Sequence, residues 1–597
     1  MQKIVRTKRS SISISMLLVI MMVFSLFTGI IPTAQAAVAD NFTAETLTLQ
    51  PGASAAAMNF AWYSDRDDEN NASTVKIAKK SAMNGETFPV NATVVEGALG
   101  DATAGKSWHK VSVSGLEQGV EYVYSVSNDK FIYSEIYEFK TGSAGSFTFA
   151  VVGDPQLTTG NQDSTSNYRP NGEIGTTKQG WQDTMSVIAG KGVNFIAGVG
   201  DQVDVSLTVN EAEYANFFAP AEMKSIPFSP AVGNHDRNDG FAYHYNIPNE
   251  QSFAILTGPD YGNPSNPQAE AEARGNYYYT YNNALFVVLN TSSYPTSTAA
   301  ASLVVARFDA TLQTAVSANP DYDWLFVQHH KSTASVADHL ADRDIQYYVE
   351  AGFEKLMDKY GVDFVLSGHD HVYARSYPMY DGMPDKTGAS GEPNVTLTMG
   401  GDGANYAVDP KGTVYFTTTA GSGLKYYELF NNAGNLYVKD NIYYPYLVNG
   451  LFGSVEYMKG NIPLSTAKYL QNKTPGFIIV NVNGNEVSFA YHDLSAEYLN
   501  TPYDTYTVTK SGQNEEVIVV SATVSAFVTK LNGNKNDLTI TVTEQLSDGT
   551  TNDIAVTFSI NNNAADTYSV GPYIVYVDTK GNDQIRDCRI VEMAEAA

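Results

Sequence analysis

Between residues 144 and 510, short and continuous apolar runs alternate with stretches whose apolar residues have helical spacing. The apolar runs cover residues 147–152, 195–199, 285–289, 324–327 and 364–366. Runs of this length are typical of strands that are buried on both faces of a sheet. Strands that alternate with helices predict an α/β domain, in which helices cover a largely buried sheet system.

The regions on either side of this segment have a different pattern, in which apolar and polar residues alternate. Met58, Phe60 and Trp62 alternate in the first region, and residues 538–542 do so in the last. A period of two is typical of half-buried strands. Short strands separated by polar turns predict a β-sandwich before the α/β domain and a small β domain after it. The last region holds no cluster of metal-binding residues, so we interpret it as a module for cell-wall attachment or for spacing.

The N-terminus has the pattern of a signal peptide. A basic start with four Lys or Arg residues precedes an apolar run at 16–31 and the small-residue sequence Ala34-Gln35-Ala36. This order predicts cleavage and a secreted or cell-surface protein, and the alternative is a retained membrane anchor. The predicted parts of the chain are a signal peptide at 1–36, a β-sandwich at 38–142, the α/β domain at 144–510 and the C-terminal β domain at 513–597.

The overall charge and the cysteine content exclude some classes of function. The net charge is −27, and the predicted signal peptide carries four positive charges and no negative ones. So acidic a chain is unsuited to sequence-independent binding of nucleic acid or anionic lipid. After the signal peptide, no stretch is long and apolar enough to cross a bilayer. Cys588 is the only cysteine, which excludes an intramolecular disulfide framework.

Five short motifs follow or end the apolar runs of the middle region. Sites in α/β sheets gather beyond the carboxyl ends of strands, so these motifs are expected to meet. Each motif alone is weak, because a lone Gly-Asp is usually a turn and a lone strand histidine is usually a core residue. Together they hold five of the nine histidines, and their carboxylate, amide and imidazole groups suit zinc, iron or manganese. The motifs are Gly153-Asp154-Pro155-Gln156, Gly200-Asp201-Gln202-Val203-Asp204, Gly233-Asn234-His235-Asp236, Gln328-His329-His330 and Gly368-His369-Asp370-His371.

The order of these motifs resembles the calcineurin-like metallophosphoesterase superfamily. The run from Gly368 to Pro378, GHDHVYARSYP, is similar to the purple acid phosphatase-like members. Those members place a fibronectin type III-like domain before the catalytic domain. The resemblance therefore implies an αββα sandwich at 144–510, flanked by β-sandwich domains, with a dinuclear metal centre.

The resemblance also implies a role for each motif residue. Asp201 would bridge two metal ions, and His235, without binding metal, would contact the phosphate and stabilise the transition state or the leaving group. Asp154 and His371 would complete the first metal site. The second site would be completed by Asn234, His330 and His369.

Several positions stay open in the sequence. The family often has a Trp six residues before the ligand, so Trp324 indicates His330 as the ligand and leaves His329 as a neighbour of the ligands or a core residue. His339 is either a substrate-facing catalytic histidine or an exposed residue at a helix start. Gln156 and Arg375 are either metal ligands or neighbours of ligands.

Asp204 departs from the family pattern. Purple members have Tyr at this position, three residues after the bridging Asp, where its bond to ferric iron gives the colour. With Asp204 there, a ferric site is in doubt, a purple protein is not expected, and iron, zinc and manganese all remain candidates. Asp204 is itself either a ligand or a neighbour of ligands.

These residues predict a hydrolase of phosphate esters. Two metal ions offset the charge of the ester and activate a hydroxide. A neutral-range imidazole such as His235 can protonate the leaving oxygen. We expect a secreted, metal-dependent phosphatase that acts on small phosphate monoesters. The alternatives are a phosphodiesterase or nucleotide hydrolase on the same site, and a secreted adhesion or wall-binding protein with a relic site.

Overall fold

The structure is a computed structural model of the single chain. The predicted signal peptide, residues 1–36, lies outside the residues that it describes. The chain forms two compact units, Met1–Lys510 and Ser511–Ala597. Among the described helices, none has the length and apolar character needed to span a membrane. The structure describes residues 42–66, 73–128, 130–159, 177–205, 208–256, 271–380, 383–384, 405–423, 425–427, 429, 438–439, 442–443, 458–459, 462–463, 465–511, 519–530, 535–546, 551–561, 565–570, 573–580 and 584–593.

The N-terminal part of the first unit is a β-sandwich. Its strands are β1 (Glu45–Pro51), β2 (Ala57–Asp65), β3 (Thr74–Lys79), β4 (Thr93–Glu96), β5 (Ala98–Asp101), β6 (Lys106–Ser114), β7 (Glu121–Val126) and β8 (Tyr137–Lys140). Within the described residues they form two four-stranded sheets, with the orders β1-β2-β6-β5 and β4-β3-β7-β8. Phe60 and Val111 from one sheet pack against Val75 and Tyr124 from the other.

The rest of the first unit contains two larger sheets. Its strands are β9 (Ser146–Val152), β10 (Phe195–Gly198), β11 (Phe228–Pro230), β12 (Tyr277–Tyr281), β13 (Ala284–Val288), β14 (Trp324–Lys331), β15 (Phe364–Gly368), β16 (Tyr373–Ser376), β17 (Met379–Tyr380), β18 (Met383–Pro384), β19 (Tyr406–Val408), β20 (Val414–Thr417), β21 (Val438–Lys439), β22 (Ile442–Tyr443), β23 (Met458–Lys459), β24 (Ile462–Pro463), β25 (Thr466–Leu470), β26 (Gly476–Asn483), β27 (Glu486–Asp493) and β28 (Asp504–Thr509). Over the described ranges, two seven-stranded sheets have the orders β11-β10-β9-β26-β27-β28-β19 and β12-β13-β14-β15-β20-β16-β25. The remaining strands pair as the ribbons β17-β18, β21-β22 and β23-β24.

Helices cover the outer faces of these sheets. The α-helices among the described residues are α1 (Thr177–Gly190), α2 (Glu211–Phe217), α3 (Asp239–His244), α4 (Thr298–Ala318), α5 (Arg343–Glu350) and α6 (Phe353–Tyr360). Short 3-10 helices cover Lys80–Ala82, Thr103–Gly105, Ala221–Lys224 and Asp338–Ala341.

The alternation of side chains along each strand explains the layering. In β9, Phe149 and Val151 belong to the core between the sheets, whereas Ala150 and Val152 pack with the helix layer that includes α1. Successive side chains of a strand point to opposite faces, so a strand buried on both sides needs a continuous apolar run. The second sheet is covered in the same way by α4, α5 and α6. The predicted α/β fold with helix, sheet, sheet and helix layers is confirmed.

The second unit is all β. Its strands are β29 (Val519–Lys530), β30 (Lys535–Leu546), β31 (Thr551–Asn561), β32 (Ala565–Val570), β33 (Tyr573–Lys580) and β34 (Gln584–Met593). In the part of this unit that the structure covers, they form two three-stranded antiparallel sheets around residues such as Leu538, Ile540 and Val575. The unit contains no histidine.

Candidate metal centre

The five motifs meet because parallel strands end at the same edge of their sheets. Strands β9, β10 and β11 are parallel in the first sheet, and β13, β14 and β15 are parallel in the second. The motifs at 153–156, 200–204 and 233–236 follow the first three strands. The motif at 328–330 lies in β14, and the motif at 368–371 begins at the last residue of β15. The carboxyl ends of both sheets therefore supply one site, as expected for an α/β fold.

The backbone at this edge is strained. Five of the predicted site residues have positive φ: Asp154 (52°), Gln156 (39°), Asp201 (53°), His369 (73°) and His371 (47°). A residue other than glycine pays about 1–3 kcal/mol for such a conformation, which persists only where surrounding contacts impose it. The His369 N–H donates to both carboxylate oxygens of Asp154, at 2.9 and 3.0 Å, and the Gln156 N–H donates to the Asp201 carbonyl at 2.8 Å. The strain is concentrated where the ligand side chains must converge.

Two glycines permit the close approach of these loops. Gly200 has a φ of 97°, and a Cβ atom there would lie 2.5 Å from His330 Nδ1. A Cβ atom at Gly233 would collide with the backbone and carboxylate of Asp201. Any larger residue at either position would push the loop away from the ligand cluster.

Three donor atoms lie around His330 Nε2 and form a group of four with it. The Nδ1–H of His330 donates to the Val199 carbonyl at 2.8 Å, so Nε2 is the ring nitrogen that is placed to bind a metal ion. This Nε2 lies 2.9 Å from Asn234 Oδ1, 3.1 Å from His369 Nδ1 and 3.3 Å from Asp201 Oδ2. Four ligands held at about 2.0–2.1 Å from one zinc-sized ion stand roughly 3.3 Å apart. The spacing and chemistry of this donor set therefore fit a metal ion.

The electrostatics of this cluster favour a positive charge. Burial alone would lower the pKa of His330, but the carboxylate of Asp201 outweighs that effect and raises the pKa to about 9. Burial would likewise raise the pKa of Asp201, yet His330 and His235 hold it well below its usual range. A cation placed between these groups meets a carboxylate that stays ionised.

A second group of donors lies next to Asp201. His371 Nδ1–H donates to the Lys425 carbonyl at 2.6 Å, and its Nε2 lies 3.4 Å from Asp154 Oδ1. Gln156 Nε2 donates to Asp201 Oδ2 at 3.1 Å. Gln156 Oε1 is buried and has no hydrogen-bond partner among the described residues. An unpartnered carbonyl oxygen beside two donor residues fits a ligand position, and Asp201 contacts both groups.

His235 lies beside the donor groups and not within them. Its N–H donates to Asp201 Oδ1 at 2.8 Å, and its ring Nδ1–H donates to the Asp204 carbonyl. Its Nε2 is 3.9 Å from Asp201 Oδ2, and a quarter of its side chain is exposed (25%). The imidazole is therefore accessible from solvent at the edge of the cluster. The Asp204 carboxylate is 3.9 Å from His235 Nδ1, so this residue neighbours His235 and not the donor group around His330.

His339 and Tyr427 cover the same end of the site. The ring of His339 stacks on His369 with centroids 4.1 Å apart, and its Nδ1–H donates to Asp342 Oδ2 at 2.6 Å. Tyr427 packs edge-on against both His339 (4.3 Å) and His371 (5.0 Å). The sequence places Tyr427 in no motif.

The structure does not bring His329 to the donor groups. Neither ring nitrogen of His329 has a hydrogen-bond partner in the described part of the chain, and its ring packs against Phe353 of α6. Burial lowers its pKa to about 3, so the ring is neutral. Adjacent residues of a strand face opposite ways, so β14 directs His330 to the site and His329 to the helix layer.

Arg375 departs from the expectation that it neighbours the site. Its Nε donates to Asp504 Oδ2 at 2.7 Å and its Nη2 to Asp504 Oδ1 at 3.2 Å, in a buried ion pair between β16 and β28. Tyr373, two residues earlier on the same face, donates its hydroxyl to the same carboxylate at 2.7 Å. Side chains two residues apart on a strand lie on the same face, so β16 directs both Tyr373 and Arg375 to Asp504.

Comparison with known proteins gives two family matches. Residues 147–373 match the family described as calcineurin-like phosphoesterase. Residues 44–141 match the family described as purple acid phosphatase, N-terminal domain. The metallophosphoesterase and purple acid phosphatase families use a dinuclear metal centre. The two matched segments correspond to the donor groups described above and to the N-terminal sandwich.

Two phosphatases are among the solved structures that the chain matches. One is a purple acid phosphatase, PPD1, from yellow lupin (Lupinus luteus) seeds, with 15% identity and a TM-score of 0.49; the match covers 79% of this chain and 75% of that one. Another is a dimetal phosphatase from Danio rerio, with 10% identity and a TM-score of 0.31; the match covers 61% of this chain and 98% of that one. No curated protein matches the chain. Residues 147–373 are therefore a calcineurin-like phosphoesterase domain and residues 44–141 a purple acid phosphatase N-terminal domain, and these two families indicate a hydrolase of phosphoric esters.

Proposed function

We propose that the protein is a secreted phosphatase that hydrolyses phosphate monoesters at a dinuclear metal centre. The observation that carries the proposal is the group of four donor atoms that includes His330 Nε2, next to a second donor group that shares Asp201. Secretion is supported by the pattern of residues 1–36. A preference for monoesters is supported by the match to the purple acid phosphatase N-terminal domain.

The donor groups assign residues to each ion. One ion would be held by Asp201, Asn234, His330 and His369. The other would be held by Asp201, Asp154 and His371, with the free Oε1 of Gln156 as an additional donor. Mixed oxygen and nitrogen donors suit zinc, iron or manganese.

The ions and the protein have separate tasks in the reaction. When bound, such an ion pair offsets the negative charge of the ester and lowers the pKa of a water. The Nδ1–H of His235 donates to the Asp204 carbonyl, so Nε2 is the ring nitrogen left for the reaction. A proton on Nε2 can pass to the departing ester oxygen or hydrogen-bond to it. Asp201 fixes the backbone of His235 by accepting its N–H. The carboxylate that would hold both ions thus also locates the imidazole.

The test of this function compares His235→Ala with the wild-type enzyme on aryl phosphates. Loss of such a group typically slows hydrolysis by about 10²–10⁴-fold. The deficit should shrink for esters with good leaving groups, which need little protonation. Metal content should stay at the wild-type level, because His235 is outside both donor groups. A His235→Ala protein that is folded but empty of metal would contradict the assigned role.

Two further measurements separate the alternative functions. Rates on p-nitrophenyl phosphate and on bis(p-nitrophenyl) phosphate distinguish a monoesterase from a diesterase. The proposal predicts the higher kcat/KM for the monoester. A wild-type protein that binds no metal and hydrolyses neither ester would identify the site as a relic and overturn the proposed function.

A further inference from the structure

Helix α2 carries two glutamates with different contacts. Glu211 faces the N-terminal sandwich: one carboxylate oxygen accepts from the Tyr63 hydroxyl at 3.3 Å, and the other lies 3.0 Å from His244 Nε2. Glu213 is buried, with 2% of its surface exposed, and faces the loop that follows Asp201. Since the motifs do not include this helix, the role of Glu213 is visible only in the structure.

One carboxylate oxygen of Glu213 holds two successive amides of that loop. Its Oε2 accepts from the N–H of Asp204 at 3.1 Å and from the N–H of Val205 at 3.0 Å. The Asp204 N–H has a second acceptor, the Leu157 carbonyl at 3.2 Å. For the Val205 N–H, Glu213 is the acceptor found among the described residues.

The Val205 N–H belongs to the same peptide group as the Asp204 carbonyl. That carbonyl accepts the Nδ1–H of His235. A peptide group is planar and rigid, so fixing its N–H also fixes the direction of its C=O. Hydrogen bonds in a chain polarise one another, so the Glu213 carboxylate also makes the carbonyl a stronger acceptor. Glu213, the Asp204–Val205 peptide group and His235 therefore form a continuous hydrogen-bonded chain.

We propose that Glu213 is a positioning residue for His235, acting through the Asp204–Val205 peptide group. It keeps the His235 ring in the Nδ1–H form and aims Nε2 at the substrate side of the cluster, 3.9 Å from Asp201 Oδ2. Glu213 itself touches neither substrate nor metal. The inference rests on the proposed function, because it requires that His235 serve the departing oxygen.

Glu213→Gln is the direct test. It preserves size and a hydrogen-bond acceptor but removes the charge, and charged acceptors are roughly twice as strong as neutral ones. We expect kcat to fall on the order of tenfold with KM nearly unchanged. The loss should grow as the leaving group becomes poorer, as for His235→Ala. In the His235→Ala background, Glu213→Gln should cause no further loss, because residues that act as one unit are not additive.

Glu211→Gln is the matched control on the same helix. It removes the charge of a carboxylate that contacts the N-terminal sandwich, so it should lower the unfolding temperature without changing the leaving-group dependence of kcat. A Glu213→Gln loss that is equal for all leaving groups, or that adds fully to His235→Ala, would overturn the positioning role. If His235→Ala keeps the wild-type rate, the proposed function of His235 fails and this inference falls with it.

A spectroscopic measurement on the native protein tests the inference without relying on the folding of any variant. In the native protein labelled with ¹⁵N-histidine, His235 should show a proton on Nδ1 that exchanges slowly with water, because it is held by the Asp204 carbonyl. Glu213→Gln should weaken that Nδ1–H hydrogen bond and speed its exchange with water. The opposite tautomer in the native protein would contradict the inference.

Discussion

Replacing Arg375 with alanine should destabilise the fold without emptying the metal centre. The Asp504 carboxylate receives hydrogen bonds from Arg375 Nε and Nη2 and from the Tyr373 hydroxyl, and both charged side chains are buried. Removing the guanidinium leaves a buried carboxylate without its counter-charge. Breaking a buried ion pair in this way costs about 3–5 kcal/mol, against a typical total stability of about 5–15 kcal/mol. The variant should therefore unfold at a clearly lower urea concentration.

The assay combines urea unfolding, followed by tryptophan fluorescence, with metal content and kcat of the folded fraction. The double variant Arg375→Met with Asp504→Leu is the control, because replacing both members of a buried pair by apolar residues is often neutral or stabilising. It should recover much of the stability lost in Arg375→Ala. An Arg375→Ala protein with wild-type stability but reduced metal content would refute the structural role and return Arg375 to the site.

Three further predictions concern other parts of the chain. His330→Ala should lose metal, whereas His329→Ala should retain it, because their rings face opposite sides of β14; the reverse result would exchange their roles. Burial raises the pKa of Glu354 from 4.5 to about 8. The folded state therefore keeps a proton that the unfolded state releases, so stability falls as pH rises between 4.5 and about 8. The fall in the free energy of unfolding between pH 5 and pH 8 is on the order of 3 kcal/mol, and Glu354→Gln should remove it in urea unfolding. A variant with the same pH profile as the wild-type protein would contradict this prediction. Deleting residues from 513 onward should leave hydrolysis of small esters intact, since this segment contains no histidine; a folded but inactive truncation would show otherwise.

The positions of the donor residues could be predicted because they depend on strand ends. A continuous apolar run such as 147–152 identifies a doubly buried strand, and the residue after it must lie at the sheet edge. The same reasoning could not identify Arg375, which continues the motif at 368–371 but pairs with an aspartate 129 positions away. It could not identify Glu213 or Tyr427 either. Their contacts with the site depend on how a helix and a distant segment pack, and local sequence does not record such packing.

The dinuclear centre is the central claim, and metal analysis of the wild-type protein beside Asp201→Asn tests it most directly. Asp201 contacts both donor groups, and the asparagine keeps its size while removing the charge that would lie between two cations. We predict about two ions per chain in the wild-type protein, with metal content and kcat lost together in Asp201→Asn. Active wild-type protein without metal, or an Asp201→Asn protein that keeps both ions, would contradict it.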